Sequence, residues 1–215
     1  MPEEIMNGKE INASNEILIL ATGNTLATLF DSAKDILVSY ARVFPLPARN
    51  QFSRSLVDGL DFLNSFRPSI QDSQLSSDLD ILVQSLEALI GVGNGIRSFI
   101  LLTKEEPDNE SYGSNIKDNS FKDVFEDGYM NVSQSLPEWY ERSDYQYLLK
   151  SAFKEMRIVI KTTISIYDRL HELRKLFGMD EKDAYEDKVR KDISSINELM
   201  ELGFPAYLAK YSSPE

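Results

Sequence analysis

Residues 75–100 read LSSDLDILVQSLEALIGVGNGIRSFI, and this stretch decides the fold class. Leucine or isoleucine recurs in it every three or four residues, a spacing that places these side chains on one face of an α-helix. The resulting stripe consists of Leu75, Leu79, Leu82, Leu86, Leu89, Ile96 and Ile100. Gly93 occupies a position where a further apolar residue would be due, and Ser69 and Asp72 are candidate caps near the helix start. The stretch therefore predicts a long amphipathic helix with one buried face.

The same spacing extends over most of the chain, and no alternation of apolar and polar residues is long enough to indicate a strand. It predicts four further helices, at about residues 14–43, 48–66, 145–177 and 180–202. Pro45, Pro68 and Gly178 stand where helices are expected to end. We therefore expect an all-α bundle of about five long amphipathic helices, largely antiparallel.

The length of 215 residues fits one domain with its own core. Residues 104–118 are acidic and polar and contain too few apolar side chains to order themselves, so we expect a mobile loop or linker there. We also expect a flexible N-terminus over residues 1–13 and a tail over residues 206–215.

Composition removes several classes of protein. The chain contains no cysteine, which excludes disulfides, thiolate nucleophiles and cysteine-ligated metal sites. The most apolar window, residues 86–102, is interrupted by Glu87, Asn94 and Arg97, so we predict no membrane span. The acidic N-terminus does not resemble a secretory signal, and we expect a cytoplasmic protein. No motif predicts a cofactor.

The glycines of residues 91–95 do not predict a phosphate loop, because they interrupt a helical stripe instead of following a strand. Close helix packing, a kink or a break explains them better.

His171, the only histidine, follows Asp168 by one turn. A carboxylate-bridged di-iron site needs a second such pair, and no Gly-x-Ser-x-Gly sequence supports a catalytic triad. We therefore predict that His171 is not catalytic.

Two groups of carboxylates could hold a magnesium ion. Glu138 and Glu141 share a helical face, and Asp180 and Asp183 belong to an acidic cluster at the start of the last predicted helix. All-α nucleotide hydrolases use such pairs to bind Mg²⁺, an oxygen-loving cation. Acidic residues at a helix N-terminus are also favoured by the helix dipole, without any metal. Both interpretations stay open.

Charge is unevenly distributed along the chain. Between residues 104 and 145 there are eleven acidic and four basic residues, so this segment carries seven of the twelve net negative charges. Directly afterwards Lys150, Lys154, Arg157 and Lys161 recur at helical spacing and line one helix face.

Three interpretations of this face compete. It is a solvated surface, it binds the acidic segment as an internal latch, or it contacts phosphates or an acidic partner. In the last case Trp139, Tyr140, Tyr145 and Tyr147 are nearby aromatic anchors. The net charge of −12 disfavours general nucleic-acid binding, although a local basic patch remains compatible with it.

The leading functional prediction is a non-enzymatic helical module for protein–protein interaction or assembly, with a protein partner or self-association. Ile17, Leu18, Ile19 and Leu20 are consecutive and cannot all face one core, so we expect some of them to meet a partner. The alternatives are the magnesium-dependent nucleotide hydrolase and a carrier whose bundle opens around a lipid-like molecule.

Overall fold

The computed structural model describes residues 2–42, 46–103, 142–179, 185–203 and 206–207. Within these ranges the secondary structure is helical, without strands, and one turn of 3-10 helix (Arg67–Ser69) precedes the third helix. The five α-helices are α1 (Pro2–Arg42), α2 (Leu46–Phe66), α3 (Ser73–Thr103), α4 (Ser143–Phe177) and α5 (Glu186–Leu202). The predicted all-α bundle of five helices is confirmed.

The largest difference from prediction is the start of α1, at Pro2 instead of residue 14. The helical backbone therefore includes residues 2–13, and their predicted flexibility stays a prediction. The predicted linker 104–118 and residues 208–215 of the predicted tail lie outside the described residues.

Neighbouring helices along the chain are antiparallel. In each pair, the contacting residues lie at similar distances along the sequence from the connection between the two helices. The contacts are Leu29 with Gly59 between α1 and α2, Asp72 with Arg169 and Gly95 with Leu148 between α3 and α4, and Asp168 with Arg190 between α4 and α5. The predicted antiparallel arrangement is therefore confirmed for these pairs.

The first and last helices run parallel to each other. Asp31 of α1 forms an ion pair with Lys188 of α5, and Lys34 lies 3.0 Å from Asp192 one turn further along both helices. This contact brings together the two ends of the described fold. It completes a bundle in which α2 and α4 run opposite to α1, α3 and α5.

The predicted stripe of α3 forms the centre of the core. Its members from Leu75 to Ile96 are buried, and so is Gly93. They pack against α4, which contributes the fully buried Tyr145 and Tyr167.

By length and composition alone, Ser73–Ile96 is the one helical segment of the described ranges that is apolar enough to cross a membrane. Core helices of soluble proteins satisfy the same criterion.

One buried carboxylate lies on the apolar face of α3. Asp78 accepts hydrogen bonds from Ser165 of α4 at 2.7 Å and from Gln74 at 3.1 Å. At the start of the same helix, Asp72 accepts a hydrogen bond from the backbone N–H of Leu75 at 2.8 Å. The predicted capping role of Asp72 is confirmed.

Candidate functional site

The outer face of α4 carries the four predicted cations, which we call the basic stripe: Lys150, Lys154, Arg157 and Lys161. All four side chains are exposed. At 100° per residue they fall within an arc of about 60° around the helix, and at 1.5 Å per residue they extend over about 16 Å along it. The helix therefore presents them as a straight positive ridge.

The described residues do not neutralise the cations of the basic stripe. None of the four forms an ion pair or a side-chain hydrogen bond with any residue that the structure describes. Positions three and four residues away from each of them carry no acid, whereas Arg190 has Glu186 one turn before it at 2.7 Å. The stripe thus concentrates unpaired positive charge on a chain of net charge −12.

Apolar side chains flank the basic stripe on both sides. Tyr147 is 71% exposed near its N-terminal end, and the half-buried Ile158 lies on the same side. Phe153 and Ile164 lie on the other side and pack against the core. A partner that contacts the stripe therefore also meets apolar surface.

The predicted aromatic anchors differ in position. Tyr145 is completely buried, so the prediction that it is a surface anchor is wrong. Trp139 and Tyr140 lie outside the described residues. Of the four aromatic residues that the sequence singled out, Tyr147 is the one that the structure shows at the surface.

The predicted magnesium ligands Glu138, Glu141, Asp180 and Asp183 all lie outside the described residues, so the metal site stays a prediction. Over residues for which side chains are described, no three His, Asp or Glu side chains are grouped so as to hold a metal ion.

The histidine motif and the glycine cluster both have structural explanations. Asp168 accepts a hydrogen bond from Arg190 of α5 at 2.9 Å, and His171 is half-buried. The glycine cluster lies inside the unbroken α3, and a Cβ atom at Gly95 would lie 3.3 Å from the side chain of Leu148. Close helix packing, one of the predicted explanations, therefore accounts for Gly95.

A second candidate surface lies on α1. Ile17 is 66% exposed and Leu20 is 46% exposed, whereas Ile19 between them is 4% exposed. The prediction that the consecutive apolar residues cannot all face the core is confirmed. We call Ile17 and Leu20 the apolar ridge.

The apolar ridge continues the face of α1 that binds α5. At 100° per residue, Ile17 and Leu20 point in the same direction as Asp31 and Asp35. Asp31 and Asp35 are half-buried beneath α5, whereas Asn24 and the two ridge residues are exposed. Within the described part of the chain, this face is therefore covered only from about Asp31 onwards.

A charge cluster joins α1 to α5, and no sequence pattern indicates it. Lys34 lies 3.2 Å from Asp31 and 3.0 Å from Asp192, and Lys188 also pairs with Asp31. Burial would raise the pKa of Asp31, but the hydrogen bond from Lys188 and the charge of Lys34 outweigh this and lower it. The ion pairs therefore stabilise the ionised carboxylate.

Asp35 belongs to the same cluster but behaves differently. Burial raises its pKa to about 6, the charges of Asp31 and Asp192 act in the same direction, and Lys34 opposes them. No ion pair reaches Asp35 from the described part of the chain. The charge of the Asp35 carboxylate is consequently expected to change near pH 6.

Comparisons of the chain with protein-family models, with curated proteins and with solved structures gave no match.

Proposed function

We propose that the protein is a non-enzymatic helical assembly module that self-associates through the apolar ridge of α1. The observation that carries this proposal is the exposure of Ile17 and Leu20 on the face that, about two to three turns beyond Asn24, binds α5. A helix face that already binds a helix and continues as apolar surface is suited to bind a second one.

The geometry favours contact between two copies related by twofold symmetry. Two antiparallel α1 helices would place each apolar ridge against that of the other copy, as closed dimers require. Burial of four large apolar side chains in this interface contributes about 1 to 2 kcal/mol per side chain to the free energy of association. The entropic cost of association reduces this contribution. We therefore expect a weak, concentration-dependent dimer.

Sedimentation velocity over a concentration series tests this proposal. The wild-type sedimentation coefficient is expected to rise with concentration, and that of the double variant Ile17→Ser, Leu20→Ser is expected to stay constant. Val57→Ser is the matched control, because Val57 is 41% exposed but lies on α2. A wild-type protein that stays monomeric at about 100 μM, or a double variant that associates like wild type, refutes the proposal.

The nucleotide hydrolase and the lipid-like carrier are the alternative functions. The hydrolase depends on Glu138, Glu141, Asp180 and Asp183, and magnesium binding to the folded state would raise the melting temperature. A melting temperature that does not change at millimolar Mg²⁺ contradicts it. Native mass spectrometry without a co-purified apolar ligand counts against the carrier.

A further inference from the structure

We infer that the basic stripe is a docking surface for an acidic amphipathic helix of a partner protein. The inference goes beyond self-association, because the stripe lies on α4 and the apolar ridge lies on α1. It is based on the unpaired cations, their spacing and the apolar side chains beside them.

The spacing of the cations fits a helical partner. Intervals of four, three and four residues advance by about 6.0, 4.5 and 6.0 Å along the axis of α4. Carboxylates at the same intervals on an antiparallel helix would lie opposite Lys150, Lys154, Arg157 and Lys161. Opposite charges at matching intervals fix the register of paired helices, as they do in coiled coils.

The overall charge of the chain favours a short acidic segment over a larger polyanion. The field of a surface charge is screened within about 8 Å at physiological ionic strength, so three helical turns of peptide interact mainly with the stripe. Nucleic acid or an anionic membrane would extend beyond the stripe, towards the remainder of a chain of net charge −12. Such larger surfaces would be repelled.

The flanking side chains supply apolar contact for a docked helix. Tyr147 and Ile158 lie on one side of the stripe, and Phe153 and Ile164 lie on the other. Exposed charges alone contribute little affinity, whereas an exposed tyrosine is a frequent anchor of protein interfaces. We therefore expect the partner helix to have apolar residues beside its row of acids.

Fluorescence anisotropy with two labelled peptides and the full-length protein tests the inference. The matched peptide carries glutamates at positions i, i+4, i+7 and i+11 with leucines beside them. The control peptide has the same composition, but its glutamates are distributed around the helix. We expect the matched peptide to bind about tenfold more tightly, and its Kd to rise severalfold between 50 and 300 mM salt.

Variants of the protein locate the binding site. Lys154→Glu combined with Arg157→Glu is expected to weaken binding of the matched peptide by tenfold or more. The control combines Lys175→Glu and Lys191→Glu, which change exposed cations outside the stripe by the same total charge. Circular dichroism confirms that both variants fold. The Ile17→Ser, Leu20→Ser variant is expected to bind the peptide like wild type, which separates this inference from the proposed function.

Several outcomes would overturn the inference. Equal affinity for the matched and control peptides would mean that the stripe does not recognise the spacing of the acids. Stronger stripe-dependent binding of RNA or of phosphatidylserine vesicles would assign the stripe to another partner class. Wild type could fail to bind the matched peptide while a variant with neutralised acids in residues 105–127 binds it. This result would mean that the acidic segment of this chain occupies the stripe.

Discussion

The hydroxyl of Ser165 on α4 donates a hydrogen bond of 2.7 Å to the carboxylate of Asp78 on α3. Asp78 is buried, and a buried carboxylate lowers stability unless hydrogen bonds compensate for the lost hydration. The hydrogen bond from Ser165 supplies part of this compensation across the helix interface. It also favours one register of the antiparallel α3–α4 pair.

Removing this hydrogen bond is expected to destabilise the fold. Ser165→Ala should lower the free energy of unfolding by about 1 to 2 kcal/mol, because Asp78 loses one of its donors. Urea denaturation measures the change. Ser194→Ala on the exposed side of α5 is the control and should change stability by less than about 0.5 kcal/mol. Equal losses in the two variants would contradict this account.

Asp35→Asn is expected to stabilise the protein near neutral pH. Burial raises the folded-state pKa of Asp35 to about 6, above the ordinary value of 3.8, so its ionisation opposes folding. Stability should therefore fall as pH rises from about 4 through 6, and the variant should lack this fall. At pH 7.5 the free energy of unfolding is expected to rise by about 2 kcal/mol, a value that already allows for the partial exposure of Asp35. Urea denaturation at pH 4, 6 and 7.5 measures it.

The neighbouring carboxylate predicts the opposite result. Hydrogen bonding to Lys188 and the charge of Lys34 lower the pKa of Asp31, although burial alone would raise it. Asp31→Asn should therefore destabilise the protein at pH 7.5, and the difference from wild type should disappear as pH falls below about 4. Stabilisation by both substitutions at pH 7.5 would show that the α1–α5 cluster is not held by its ion pairs.

Glycine substitutions should separate helix propensity from packing. Gly91→Ala is expected to raise the free energy of unfolding by about 0.5 to 1 kcal/mol, because its Cβ would contact no atom within 4 Å. Gly59→Ala places a Cβ 2.8 Å from the buried Leu29 side chain and should be less stable than Gly91→Ala by about 1 kcal/mol or more. Thermal and urea unfolding compare the two variants. Equal stabilisation would mean that α2 moves freely away from α1.

Substitutions at Asp72 should distinguish its two interactions. Asparagine keeps an acceptor for the N–H of Leu75, whereas alanine removes it, so Asp72→Ala should be the less stable variant by about 1 kcal/mol. Both variants lose the ion pair with Arg169. Urea denaturation at low and high salt measures the difference, which should change little with salt. A difference that disappears at high salt would assign the effect to charge instead of capping.

The sequence predicted the helices because each contains a stripe of apolar residues. The α3 stripe from Leu75 to Ile96 is an example, and its spacing can be recognised without any knowledge of the fold. The end of α4 was predicted at Gly178, where glycine adopts a positive φ of 67°. The start of α1 was predicted incorrectly, because a helix that is already nucleated extends without a local apolar signal.

The basic stripe could be predicted from the sequence and the α1–α5 cluster could not, because the helical repeat relates only residues that are close in sequence. Lys150 and Lys154 are one turn apart, so their shared face follows from the helical repeat. Asp31 and Lys188 are 157 residues apart, and the period of a helix does not indicate which other helix covers it. The raised pKa of Asp35 depends on that covering helix and could not be predicted from the sequence.

The contact between the first and last helices also affects how the chain folds during its synthesis. Hairpins such as α1–α2 and α3–α4 join helices that are consecutive in sequence, so they can form in the order of synthesis. The face of α1 around Lys34 can be covered by α5 only after Asp192 has left the ribosome. A nascent chain that ends before Glu186 therefore has an incompletely covered α1, and this unfinished surface is available to chaperones and to other unfinished chains.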